Sequence, residues 1–159
     1  MANADAFNAA TRVFTMFNAY VQAVGQQIGM EQARGLVSKT FENMAVQQAR
    51  MMKEQSGIEQ FDAKTAFSLL SNVPKTIGIQ MELVEYTPQK VVAKSSKCPI
   101  YEAAQAMGID HAAIEQMCRN GPGRFMDTAA KQLNPGLSYR LKKFKSGPDD
   151  TCEEEMVLE

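Results

Sequence analysis

With 159 residues, 45% of them hydrophobic and 22% charged, the chain has the composition of a soluble globular protein long enough to bury its own core. A formal net charge of −1 gives no general attraction to nucleic acid or to an anionic membrane, and no apolar run approaches the roughly 18 residues of a membrane span. Neither class of partner is expected. Three cysteines cannot all pair in disulfides, and no basic stretch precedes an apolar block at the N-terminus, which points to a reducing, cytoplasmic setting. One domain is expected over 1–159, with a helical scaffold over 1–75 and the sheet and site region over 76–159.

Phe7, Ala10, Phe14, Phe17, Val21, Val24 and Ile28 recur at steps of three and four, one helical stripe that Asp5 caps and Gly29 ends. So regular a seam predicts close packing against other helices, and we expect part of it to join two copies of the chain in a homodimer. A second helix over 30–54 turns Ala33, Val37, Phe41, Met44 and Met51 inward and completes a hairpin. After Ser56-Gly57, Asp62 caps a shorter helix that runs to Leu70 and stops at Asn72-Val73-Pro74. There the period changes. Ile77, Ile79, Met81 and Leu83 alternate with Gly78, Gln80 and Glu82, the pattern of a half-buried strand. A turn over 87–90 leads to a second strand over 91–96.

Short helices over 99–107 and 111–119 follow, the second capped by Asp110. Asn120-Gly121-Pro122-Gly123 reads as a loop, and 124–133 as a further helix stopped by Asn134-Pro135-Gly136. The chain closes as a hairpin of strands over 137–145 and 152–158. The expected fold class is α+β, with an N-terminal helical hairpin and short helices packed on one face of a four-stranded antiparallel sheet.

The chemistry concentrates between Cys98 and Cys152, a stretch that holds all three cysteines. Cys98 precedes a proline suited to the first helical position, which makes it an N-cap facing free N–H groups and the positive end of the dipole. That position is expected to lower the thiol's pKa. Glu102, four residues on, shares its helix face. The pair is a candidate nucleophile with its acid/base partner, or two ligands of a metal; the alternative is a small buried residue ending a strand. Cys118 ends a helix. Cys152 opens the last strand, and alternation turns Glu154, Met156 and Leu158 inward with it. An inward Glu154 needs a polar partner.

Cys98, Cys118 and Cys152 are thus candidate ligands for zinc or another transition metal, with Glu154 as a further one, although their spacings of 20 and 34 residues match no zinc-finger pattern. His111 lies about two helical turns from Cys118, too far to share an ion with it, and reads as a surface residue. Arg140, Lys142, Lys143 and Lys145 stand opposite Glu153, Glu154 and Glu155 as a solvated ladder of cross-strand ion pairs.

These residues resemble a known family. Cys98-Pro99-Ile100-Tyr101-Glu102-Ala103, then Met107-Gly108, Cys118, Asn134-Pro135, Leu137, Arg140, Gly147, Asp149 or Asp150, and Cys152 look like the C-terminal pattern of the L-2-amino-thiazoline-4-carboxylic acid hydrolase family. Gly29-Met30-Glu31-Gln32-Ala33 resembles the Gly-x-Glu-x-Ala that opens that family's second helix. The resemblance implies an α+β domain akin to the vinyl-reductase-type and Golgi-transport ligand-binding folds, some of which hold zinc or an apolar ligand. It also implies a hydrolase-like enzyme that opens a C–N or C–S bond of a small polar substrate, such as a cyclic amidine or thiazoline carboxylate. In that reading Cys98 is the nucleophile or a metal-bound thiolate, Glu102 moves the proton, and Arg140 and Tyr101 bind the substrate. The chain departs from the pattern at Glu154, where the family commonly has an aromatic residue, and at Arg119-Asn120, where it tends to be acidic. A zinc- or small-molecule-binding module without turnover is the alternative, as is a dimeric accessory subunit.

Overall fold

Two long helices, α1 (Ala2–Ile28) and α2 (Met30–Ser56), frame the computed structural model, which describes residues 2–159. Between them Gly29 adopts φ 92°, a conformation glycine reaches without strain and most residues do not. α1 starts ahead of Asp5, so this carboxylate sits in the first turn and complements the dipole without capping it. The stripe of α1 is used inside the chain, against α2 and α5 (Pro99–Ala106); Phe17, for example, meets Phe41 edge-on at 6.4 Å. Val13, Met16 and Tyr20, exposed apolar residues of α1, lie one strip over, and Ile28 at the end of the stripe is exposed as well.

α3 (Ala63–Leu70) opens with a reciprocal cap: the Thr65 N–H donates to Asp62 Oδ1 at 2.7 Å, and the Asp62 N–H donates to the Thr65 hydroxyl at 3.0 Å. Pro74, expected to stop this helix for good, instead sits in the first turn of a short α4 (Asn72–Thr76), where a missing N–H forfeits no hydrogen bond. The predicted strand begins late. Gly78 at φ 82° turns the chain, with Phe7 of α1 packed so close that an added Cβ would meet its Cβ at 2.8 Å. Ile77 and Ile79 therefore belong to the turn, and β1 is Met81–Tyr86.

β2 (Lys90–Ser95) leads to α5 and then to α6 (His111–Cys118), which Asp110 caps by accepting from the Ala113 N–H at 3.0 Å. The segment Arg119–Gly123, read from the sequence as a loop, is a π-turn that carries α6 into α7 (Arg124–Leu133) without leaving helical backbone. Proline fits because the wider turn asks less of the missing N–H and relieves the clash with the carbonyl four residues back. The chain ends in β3 (Leu137–Lys143) and β4 (Cys152–Leu158).

The four strands order β1-β2-β4-β3, antiparallel throughout, and with the helices they give the expected α+β class. On the inner face Val91 pairs with Met156 and Met156 with Tyr139, while Ala93 pairs with Glu154 and Ser95 with Cys152. Phe67, Leu70, Ala129 and Leu133 pack with Val91 and Met156 as the main core. A smaller cluster gathers Tyr101, Ala104 and Ile114, with Cys98, Cys118 and Phe144 against it. On the outer face Arg140 pairs with Glu155, and Lys142 with Glu153 at 3.0 Å, as the ladder predicts. Lys145 is not on that ladder: beyond the end of β3 it turns inward and is 2% exposed. Among the described residues no helix is long and apolar enough to cross a membrane.

Candidate functional site

Where the two clusters fail to merge, a cavity of about 240 Å³ remains between the inner face of the sheet, the start of α5 and the π-turn. Its wall is mostly hydrocarbon and ring, with Phe14, Phe41, Phe125 and Leu141 among the larger members. Cys98, Cys118, Cys152, Tyr101 and Glu154 all line it, although 54 residues separate the first cysteine from the last.

Glu154 reaches the cavity because β4 alternates: Cys152 and Met156 face the same way and are buried. Tyr139 donates its hydroxyl proton to Glu154 Oε2 at 2.7 Å, and Ser95 donates to Oε1 at 3.4 Å. Burial pushes the carboxyl above its usual range, and these two hydrogen bonds only partly offset that. Tyr139 is pushed well up in turn, by burial and then by the Glu154 charge beside it. Glu154 is the one acidic or basic side chain on the wall among the described residues.

Cys98 is the N-cap of α5, with extended backbone (φ −141°, ψ 118°) and Pro99 at the first helical position. The lowered pKa expected from that position does not follow. Burial pushes the thiol up to about 11, against the N–H groups of Tyr101 and Ile100, which lower it without either closing a full hydrogen bond. One helix end supplies fractional charge, and withdrawal from water outweighs it. Burial raises Cys118 and Cys152 as well, and all three thiols are free.

Two further candidates lie away from the cavity. Glu102 is exposed on the solvent side of α5, because the four-residue rule relates positions within a helix and Cys98, an extended cap, is not one of them. Arg140 sits between the inward Tyr139 and Leu141 and so points out, donating to Glu155 at 2.6 Å. Neither can touch a molecule held against Glu154. Among the described residues no three His, Cys, Asp or Glu side chains are gathered closely enough to hold a metal ion, so the zinc reading finds no preformed donor set.

The chain matches the L-2-amino-thiazoline-4-carboxylic acid hydrolase family over residues 8–141. It belongs to that family. The matched region of this family member ends at Leu141, so Cys152 and Glu154 lie beyond it. No curated protein matches the chain in sequence. Among solved structures, the phenol-responsive sensory domain of the transcription activator PoxR, with phenol, is similar at a TM-score of 0.62 and 15% identity, over 91% of this chain and 74% of that one. A trafficking protein particle complex subunit 3 from Naegleria fowleri, covalently bound to palmitic acid, is similar at 0.56 and 13%, over 92% and 95%. At those identities the likeness is one of fold.

Sequence reasoning passed over two residues of this family member and misplaced a third. Ser95 and Tyr139 supply the hydroxyls on Glu154; the signal for Tyr139 was its place between Leu137 and Leu141 on an inward face, where a buried phenol seeks a polar partner. Lys145 is the third. Its ammonium donates to the Ser96 carbonyl and, at 3.3 Å, to that of Pro148, and stands 4.8 Å from the centre of the Tyr101 ring. It ties the β3–β4 turn to the entry of α5, and His111 adds a bond to the Lys145 carbonyl at 2.8 Å.

Proposed function

We propose that this chain binds a compact, largely apolar small molecule in the cavity and holds it through a hydrogen-bond donor that reaches Glu154. One observation carries the reading: a carboxylate, the one charged group on a mostly apolar wall among the described residues, has hydroxyls alone as partners. A carboxylate offers about four acceptor positions, so capacity is left for a ligand donor. The cavity, about 240 Å³, exceeds the roughly 150 Å³ of an apolar cavity that admits benzene. The phenol and palmitic acid held by the two structures of similar fold support a small-molecule occupant.

Calorimetric titration with phenol, and with toluene as a ring lacking a donor, tests this. Wild type should bind phenol saturably. Glu154→Gln should weaken phenol roughly 10- to 100-fold, as expected for a hydrogen bond to a charged group, and leave toluene alone. Glu155→Gln, on the outer face, should change neither. Equal phenol affinity in wild type and Glu154→Gln overturns the assignment.

Family membership favours a second reading, hydrolysis. A water bound at Glu154 gives its proton to the carboxylate as its oxygen attacks an amidine-type carbon, and the same proton passes to the ring nitrogen or sulfur as that bond breaks. A carboxylate whose pKa is raised by burial suits both transfers. Thiols held protonated do not suit nucleophilic attack. Incubation with 2-amino-thiazoline-4-carboxylate and mass detection of a product heavier by one water reads this out; intact substrate after prolonged incubation removes it.

A further inference from the structure

Beside the cavity a smaller hollow of about 40 Å³ opens toward the N-terminal helices. Phe14, Phe41, Ile100 and Pro122 line both, so the two spaces are adjacent. Asn18 of α1 lines the hollow, is 2% exposed, and its Nδ2 has no hydrogen-bond partner. An orphaned amide among Phe17, Val21 and Val37 is costly, and native interiors rarely keep one without something to bind it. Arg34 of α2 reaches the same hollow from its exposed side and has no carboxylate within 4 Å among the described residues. The other polar members of the lining, Gln116 and Asn120, are exposed amides. No acidic side chain lines it among the described residues, so the charged group at its edge is a cation, where that of the main cavity is the acid Glu154.

We infer that the hollow is a subsite for a carboxylate, with Asn18 Nδ2 and Arg34 as its donors, and that it receives the far end of the ligand whose donor end lies at Glu154. The inference rests on the reading of the main cavity and sharpens it. The ligand class becomes a compact apolar molecule with a hydroxyl or amino donor at one end and a carboxylate at the other. Two oxygens fit the space, since one water needs roughly 10–15 Å³ by the same kind of measure. The planar guanidinium takes a carboxylate through paired N–H groups, and its exposure keeps the desolvation of the anion small. The ligand's charge and that of Glu154 then stand at opposite ends of the molecule.

The test uses 4-hydroxyphenyl-acetate, -propionate and -butyrate, each beside its uncharged carboxamide, with phenol as reference. At one chain length the acid should bind wild type at least tenfold more tightly than its amide. Arg34→Gln, an exposed substitution, should erase most of that preference. Asn18→Leu should do the same while melting no lower than wild type, because it removes the orphan, and Asn18→Asp should reverse the preference in favour of the amide. Acids that bind no better than amides at any length, while phenol still binds, show a hollow filled by water and end the inference with the main reading intact. Absence of phenol binding overturns the main reading first and this one with it.

Discussion

Glu154 and Glu155 are neighbours in β4, carry the same group, and live in opposite electrostatic worlds. Glu155 faces outward, where the Arg140 guanidinium at 2.6 Å and the Lys90 ammonium at 3.5 Å cover it until its side chain is 4% exposed. Burial pushes its carboxyl up, and the two cations more than reverse that, so it titrates below the usual range. Glu154 faces inward to hydroxyls, and its carboxyl titrates above the usual range. Withdrawal from water is common to both; the counter-charge decides the sign. The outer carboxylate is satisfied by its own sheet, and the inner one keeps acceptor capacity for a visitor.

The largest effect that can break this contrast concerns the thiols that share the inner environment. A rise from 9.0 to about 11 leaves Cys98 with about 100-fold less thiolate at neutral pH than an unperturbed cysteine. Mass-resolved alkylation should therefore label it about 100-fold more slowly than a free thiol at pH 7, with a rate that climbs until pH approaches 11. Fast labelling of Cys98 at neutral pH would restore it as a nucleophile and show that water reaches the inner face.

A smaller effect lies in stability against pH. Because the folded pKa of Glu154 is raised above its ordinary 4.5, the folded chain binds more protons than the unfolded one in a window that opens near 4.5 and extends upward. Stability from this group is greatest below that window and falls as pH rises through it. Glu154→Gln keeps an acceptor for Tyr139 and lacks the titration. Its melting temperature relative to wild type should rise between pH 4 and pH 8; a constant difference would mean that Glu154 titrates normally. The smallest effect belongs to the outer face. Arg140→Ala removes a partner that is 71% exposed while Lys90 remains, so the loss should be about 0.5–1 kcal/mol in urea unfolding and should shrink with added salt.

The fold was legible in the chain wherever local rules apply within one element. The Asp62 cap, the proline after Cys98 and the alternation of β4 each placed their residues on the faces they occupy. Local rules failed where a turn borrows the look of another element. Ile77 and Ile79 alternate like a strand, but their N–H groups bond back to the Pro74 carbonyl and Gly78 takes a positive φ, which makes them a turn; Phe7, some seventy residues away in sequence, packs against it. Lys145 looked like the next rung of a ladder, but the register of β3 shifts between Leu141 and Lys143 and the strand has ended before it. For the site, Cys98 was placed correctly and its acidity was not, because a cap is written in neighbouring residues whereas burial depends on everything that closes over it. Glu102 and Arg140 leave the cavity on local grounds, the exposed face of α5 and the alternation of β3, whereas Ser95 and Tyr139 enter it through the pairing of distant strands around Glu154.

The π-turn over Arg119–Gly123 has the arithmetic of an insertion. An α-helix spends about 100° of rotation on each residue, so a turn that holds one residue more sets everything after it round by that angle. Upstream of the turn Cys118 looks into the cavity; downstream Phe125 and Met126 look onto the same space from α7. Gly121, inside the turn, lets the edge of Phe41 approach to 3.3 Å of where a Cβ would stand. A chain shorter by one residue at this point would run straight from α6 to α7 with the later side chains out of phase, and Phe125 and Met126 would turn off the chamber's wall. The room for a guest is in this sense a counting error that the helix preserves.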